Sequence, residues 1–89
     1  INPLNSEEVK GYISHRLKAA GSNGNVIFDD GSLNKICEYS GGIPRRINTI
    51  CDRALLTGYI RSKRTLSGDI VDEAAREVNS IVMNGVYRV

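Results

Sequence analysis

The chain has 89 residues, 40% of them hydrophobic and 25% charged, with a net charge of +2. That length allows one small domain with a modest core, and the balance is ordinary for a folded globular chain. No apolar run approaches the roughly 18 residues a membrane helix needs, no signal peptide is visible, and the weak positive charge argues against a dedicated nucleic-acid module. Trp is absent and Phe occurs once, so the core must come from Ile, Val, Leu and Ala. A start at Ile1 rather than Met reads as a piece of a longer protein.

The first predicted helix runs from about Ser6 to Ala20. Asn5 can cap it, and Glu8 three residues on completes a capping box. Glu7 and Glu8 suit the positive end of the helix dipole. Val9, Ile13, Leu17 and Ala20 form one stripe with Tyr12 beside it, and Gly21 is the expected stop. His15, the only histidine, lies off that stripe and reads as an exposed bystander.

Residues 21 to 27 read as a loop. Asp29 then caps a second helix, with Phe28 and Leu33 placed as a hydrophobic staple. Leu33, Ile36, Cys37 and Ser40 form its short inner face, and Gly41-Gly42 ends it. Cys37 and Cys51 match no zinc spacing, and both fall at apolar helical positions. They read as reduced core thiols.

A third helix starts at Pro44, whose fixed φ suits a first helical position. Ile43, Ile47, Ile50, Cys51, Ala54, Leu55 and Gly58 cluster on one side of it. Arg45 projects about 155° from the middle of that stripe at 3.6 residues per turn, and Arg46 about 105° from it. Arg45 therefore cannot join the helix's own core face. The double glycine before it is expected to let the loop approach a partner surface.

Arg61 to Arg64 read as a basic, solvated linker. The fourth helix is expected from about Gly68 to Asn79, with Ser67 as cap and Ile70, Val71, Ala74, Ala75 and Val78 on its buried side. "DIVDE" (69 to 73) has the look of a shortened Walker B strand, but helical spacing throughout argues against it. The tail from 80 to 89 reads either as a hairpin, on the Asn84-Gly85 signal, or as a disordered end. The fold class expected is all-α: a four-helix bundle over 1–79, with a tail of uncertain structure over 80–89.

No catalytic constellation appears. Neighbouring carboxylates such as Asp72 and Glu73 point in different directions on a helix. No glycine is followed by lysine, so the backbone cradle of a phosphate-binding loop is missing. What stands out is Arg45: a permanent cation on the first turn of a helix, aimed away from its core and suited to phosphate oxygens.

"GIPRRIN" resembles the G-x-P-R motif, called sensor 2, of the lid of AAA+ ATPases. "PLNSEEVKGYISHRLKAAG", "IFDDGSLNKICEYSGGIPRRINTICDRALLTGY" and "LSGDIVDEAAREV" resemble the lid of the general secretion pathway A type ATPases. The resemblance covers roughly residues 3 to 78, with "PL" as the exit from the ATPase core. It implies a lid that closes over ATP bound by a preceding α/β core, which would also hold Mg2+. It implies that Arg45 reaches the γ-phosphate, as the catalytic and cofactor-binding arginine, and that Ile43 and Pro44 line the adenine side, with Tyr12 a weaker candidate. Arg46 has no role in the pattern.

The partners it implies are the core of the same protein, neighbouring subunits of an oligomer, and an inner-membrane component of the secretion pathway. The implied location is the cytoplasmic side of the bacterial inner membrane. Nucleic acid is not an expected partner. Two other readings stay open on the residues alone. One is a helix-turn-helix DNA binder, with Arg45 and Arg46 facing the groove, against which Asp52 shares Arg45's side. The other is a protein-interaction bundle with no nucleotide role.

Overall fold

The computed structural model describes residues 2–19 and 26–83, with the backbone alone over 80–83. Four helices fill it: α1 (Ser6–Ala19), α2 (Asp30–Ser40), α3 (Pro44–Ile60) and α4 (Gly68–Met83). The all-α bundle expected from the sequence is the fold observed. Two short strands, β1 (Ile27–Phe28) and β2 (Thr65–Leu66), are added to it.

Each helix start has its own chemistry. At α1, the Asn5 N–H donates to Glu8 Oε1 and the Glu8 N–H to Asn5 Oδ1, both at 2.9 Å. This is the reciprocal capping box expected from the sequence. At α2, Asp29 Oδ1 accepts from the Ser32 N–H at 2.8 Å. Gly41 ends α2 in the left-handed region, its N–H donating to the Cys37 carbonyl, as a glycine without Cβ readily does. Ser67 precedes α4, and its carbonyl accepts from the Ile70 and Val71 N–H groups.

β1 and β2 pair in parallel, Ile27 opposite Thr65 and Phe28 opposite Leu66. β1 thus begins at the last residue of the loop read over 21 to 27, and β2 directly follows the linker read over Arg61 to Arg64. Two residues per strand give no period to detect, and the partners are nearly forty positions apart. The ladder runs into both following helices, for the Asp29 N–H donates to the Leu66 carbonyl at 3.1 Å. Phe28 and Leu66 turn inward and are buried while Ile27 and Thr65 face out. The little sheet thereby sets the starts of α2 and α4 side by side. A Cβ on Gly68 would lie 3.6 Å from the Gly31 carbonyl oxygen.

The core gathers Val9 and Ile13 from α1, Ile36 from α2, Ile47, Ile50, Cys51 and Ala54 from α3, and Ile70, Val71 and Ala74 from α4, with Phe28 and Leu66 beneath the strands. Removing such aliphatic surface from water is the main force holding the bundle together. Cys51 is buried and Cys37 half-buried, both as free thiols. Burial pushes the Cys51 thiol up to about 12, so it is an inert hydrophobe rather than a nucleophile.

Two expectations change. α4 runs to Met83, four residues past the expected end at Asn79. Ile43 belongs to no buried stripe: it is the N-cap of α3 and 41% exposed. Its extended backbone, required before a proline, turns it outward. "DIVDE" lies wholly within α4, as its helical spacing predicts. The expected helix stop at Gly21 and the Asn84-Gly85 hairpin signal lie outside the described residues.

Candidate functional site: an arginine pair at the start of α3

Polar contacts among the described residues sort the cations. Arg16 on α1 pairs with Asp52 on α3 at 2.6 Å. Arg53 pairs with Glu77, and Arg61 bonds both Glu73 oxygens, at 2.6 and 2.8 Å. Lys35 lies 3.5 Å from Asp72, which also accepts from the Tyr39 hydroxyl at 2.7 Å. The tyrosine hydroxyl, followed by Lys35, holds the Asp72 carboxyl below its ordinary range. Arg45 and Arg46 are exposed, and neither side chain has an acidic or hydrogen-bonding partner among the described residues.

Their position makes this unusual within the molecule. α1 has Glu7 and Glu8 in its first turn, α2 has Asp30 and α4 has Asp69. Acids belong there, at the positive end of the peptide dipoles. α3 has none, and its N-cap residue Ile43 makes no side-chain capping bond. Two arginines stand where a carboxylate is expected. Each sits against the dipole at a cost of about 0.3–1 kcal/mol. An anion bound there would reverse the sign, because the first-turn N–H groups and the guanidinium groups all favour negative charge.

The turn that launches the pair is held at every residue. The Gly41 N–H donates to Cys37 O at 3.0 Å and the Ile43 N–H to Ser40 O at 3.1 Å. The Gly42 N–H donates to the buried Ser40 hydroxyl at 3.1 Å. Gly42 has φ of 78°, and a Cβ there would fall 2.2 Å from the Leu4 carbonyl oxygen. The Leu4 N–H donates back to the Gly42 carbonyl at 2.9 Å. The expected approach to a partner surface is thus taken, at Gly42, by the chain's own entering segment. At Gly41 a Cβ would meet nothing within 4 Å.

Arg45 and Arg46 open onto a cleft of about 620 Å³. Tyr39 of α2, Thr49 and Leu56 of α3 and Val78 and Asn79 of α4 also line it. Leu56, 46% exposed, gives it an apolar wall that the stripe analysis of α3 missed. An apolar residue off the core stripe was the available signal. Ile43 and Pro44 lie beside Arg45 in the chain but do not line the cleft. Tyr12 is not brought there either: its hydroxyl donates to Asn48 Oδ1 at 2.9 Å, tying α1 to α3. Asp52 lines the cleft with Arg45 but is engaged by Arg16. His15 is exposed, as expected. No group of His, Cys, Asp and Glu among the described residues could hold a metal ion, and no described helix is long and apolar enough to cross a membrane.

These features define a small helical domain with an exposed arginine pair at the start of α3. Comparison with known proteins gives it a relative. The chain is 41% identical over 87 residues to General secretion pathway protein A of Aeromonas hydrophila, a match that takes in 97% of this chain. The chain spans 16% of that protein's length. The resemblance to the general secretion pathway A type therefore extends over nearly the whole chain. No family model and no solved structure matches it.

Proposed function

We propose that this chain is the helical lid of an AAA+ ATPase of the general secretion pathway A type, closing over ATP held by another domain of a longer protein. The observation that carries the reading is the start of α3: two exposed arginines without a partner among the described residues, in a first turn without an acid. That turn lies within a chain related over 97% of its length to a secretion-pathway protein.

The residues present fit one end of ATP. Arg45 supplies a planar, permanently charged group for terminal phosphate oxygens, and the open N–H groups of the first α3 turn add a favourable field. Ile43, exposed beside Pro44, offers an apolar contact for the base. The rest of the nucleotide and its Mg2+ belong to the partner domain. Tyr12 is a less suitable base contact, since its hydroxyl is committed to Asn48.

In this reading Arg45 binds the terminal phosphate while it is present and orders the lid against the core. Loss of that phosphate on hydrolysis removes the contact, and the bundle swings as one body. Neighbouring subunits and an inner-membrane component of the pathway are the proposed partners, on the cytoplasmic face of the membrane.

The test is Arg45→Ala in the longer ATPase. Turnover should fall by about 10²–10³-fold, the usual consequence of removing one preorganised charge-stabilising donor, while the thermal midpoint stays in place. Unchanged turnover in the folded variant would defeat the assignment. This 89-residue chain alone is expected to show no ATP hydrolysis. The helix-turn-helix reading gains nothing from the geometry, because Asp52 shares the exposed face of α3 with Arg45 and lines the same cleft.

A further inference from the structure

The segment that enters the bundle and the turn that launches Arg45 are one mechanical unit. Leu4 is half-buried against the core, and its N–H bonds the Gly42 carbonyl at 2.9 Å. Gly42 is buried. A Cβ there would stand 2.2, 2.9 and 3.1 Å from the O, N and C atoms of Leu4. Backbone on both sides leaves no flexible side chain to absorb the overlap.

Only Ile43 and Pro44 separate Gly42 from Arg45. Pro44 has a fixed φ, Ile43 is confined to extended backbone by the proline after it, and the Ile43 N–H is tied to Ser40 O. The backbone between the entering segment and Arg45 is thus restrained at each step. At the other end Leu4 is one residue from Asn5, the cap of α1.

We infer that Gly42 is a positioning residue: it seats Leu4 against the turn, so that displacement of the entering segment displaces Arg45. This deepens the proposed function, since it makes the direction of the incoming chain a determinant of where the phosphate-binding arginine stands. It rests on that reading only for its consequence, not for its geometry.

The neighbouring glycine supplies the control. Gly41 and Gly42 both have positive φ, 61° and 78°, so Ala at either strains the backbone. Only at Gly42 does Ala also strike Leu4. The experiment compares the 15N-labelled chain with Gly42→Ala, Gly41→Ala, Leu4→Ala and Leu4→Pro; the last removes the donor as well as the leucine side chain that Leu4→Ala removes alone, and both leave Gly42 intact. In Gly42→Ala the Leu4 amide should lose protection from hydrogen exchange by about tenfold or more, the scale of one hydrogen bond. Gly41→Ala should keep it within about threefold on the same scale. Leu4→Pro should shift the backbone amide resonance of Arg45.

Retained Leu4 protection in Gly42→Ala, or Leu4→Pro shifts confined to residues 2–8, would overturn the inference. If Gly42→Ala fails to fold, Leu4→Pro decides alone. None of these readings involves nucleotide, so they can fail while Arg45 keeps its proposed role, or succeed while it loses it. In the longer ATPase, Gly42→Ala combined with Arg45→Ala should be no slower than Arg45→Ala alone. An additive loss would mean that Gly42 acts on something other than Arg45.

Discussion

The two turns that bracket α3 solve the same problem differently. Before the helix, Gly41 and Gly42 both adopt positive φ. After it, the chain reverses through Ser62, a non-glycine residue at φ 56°. That second turn is a Schellman ending: the Ser62 N–H donates to Tyr59 O at 3.1 Å and the Lys63 N–H to Gly58 O at 2.8 Å. Its hydrogen bonds are complete, yet it carries the strain of a left-handed serine. A glycine would fit there with less strain, and none is present. At the first turn glycine is required twice over at position 42, by its φ and by the backbone of Leu4. The second turn only has to reverse the chain, whereas the first must also fix the entering segment and aim an arginine.

The largest effect should come from beneath the second turn. Leu66 is fully buried, and a Cβ on Gly58 would fall 2.3 Å from its Cδ2, so leucine and glycine are fitted to each other. Leu66→Ala should cost about 2–5 kcal/mol, much of the stability of a domain this small. Chemical denaturation should show it as a lowered midpoint. A loss under about 1 kcal/mol would mean the site collapses freely around the deletion, and that the second turn needs no anchor.

The first turn comes next. Gly41→Ala should cost about 1–2 kcal/mol, the price of a left-handed alanine. Gly42→Ala should add about 1–3 kcal/mol for overpacking against Leu4. Equal losses at the two glycines would erase the distinction drawn between them.

How much of this could be read beforehand follows from the range of each interaction. The Asn5–Glu8 box, the Asp29 cap and the start at Pro44 each involve residues within three or four positions, and all were legible. So was the outward aim of Arg45, which follows from helical angle alone. The β1–β2 pair was not, because strands of two residues have no period and their partners are distant in sequence. The seat for Leu4 was missed for the same reason: "GG" announces a turn, but only the fold says what presses on it. Tyr12 looked suitable for a ligand until Asn48, on another helix, was found to hold its hydroxyl. The apolar stripe of α4 stops at Val78 and so predicts an end at Asn79, while the backbone continues to Met83.

The smallest effect, and the only one of opposite sign, is expected at Ser62. Its side chain is exposed and takes part in no hydrogen bond among the described residues. Replacement by glycine removes the left-handed penalty of about 1–2 kcal/mol but loosens the unfolded chain, which gives back about 0.4–1 kcal/mol. Ser62→Gly should therefore raise stability by roughly 0.5–1 kcal/mol, the balance of those two terms, shifting the midpoint of a domain this size by several degrees. Arg45 and the turn before it should not respond, since Ser62 lies at the opposite end of α3. A fall in stability would show that the serine is held left-handed for a contact of its own, and the two turns would then be alike in serving more than the reversal of the chain.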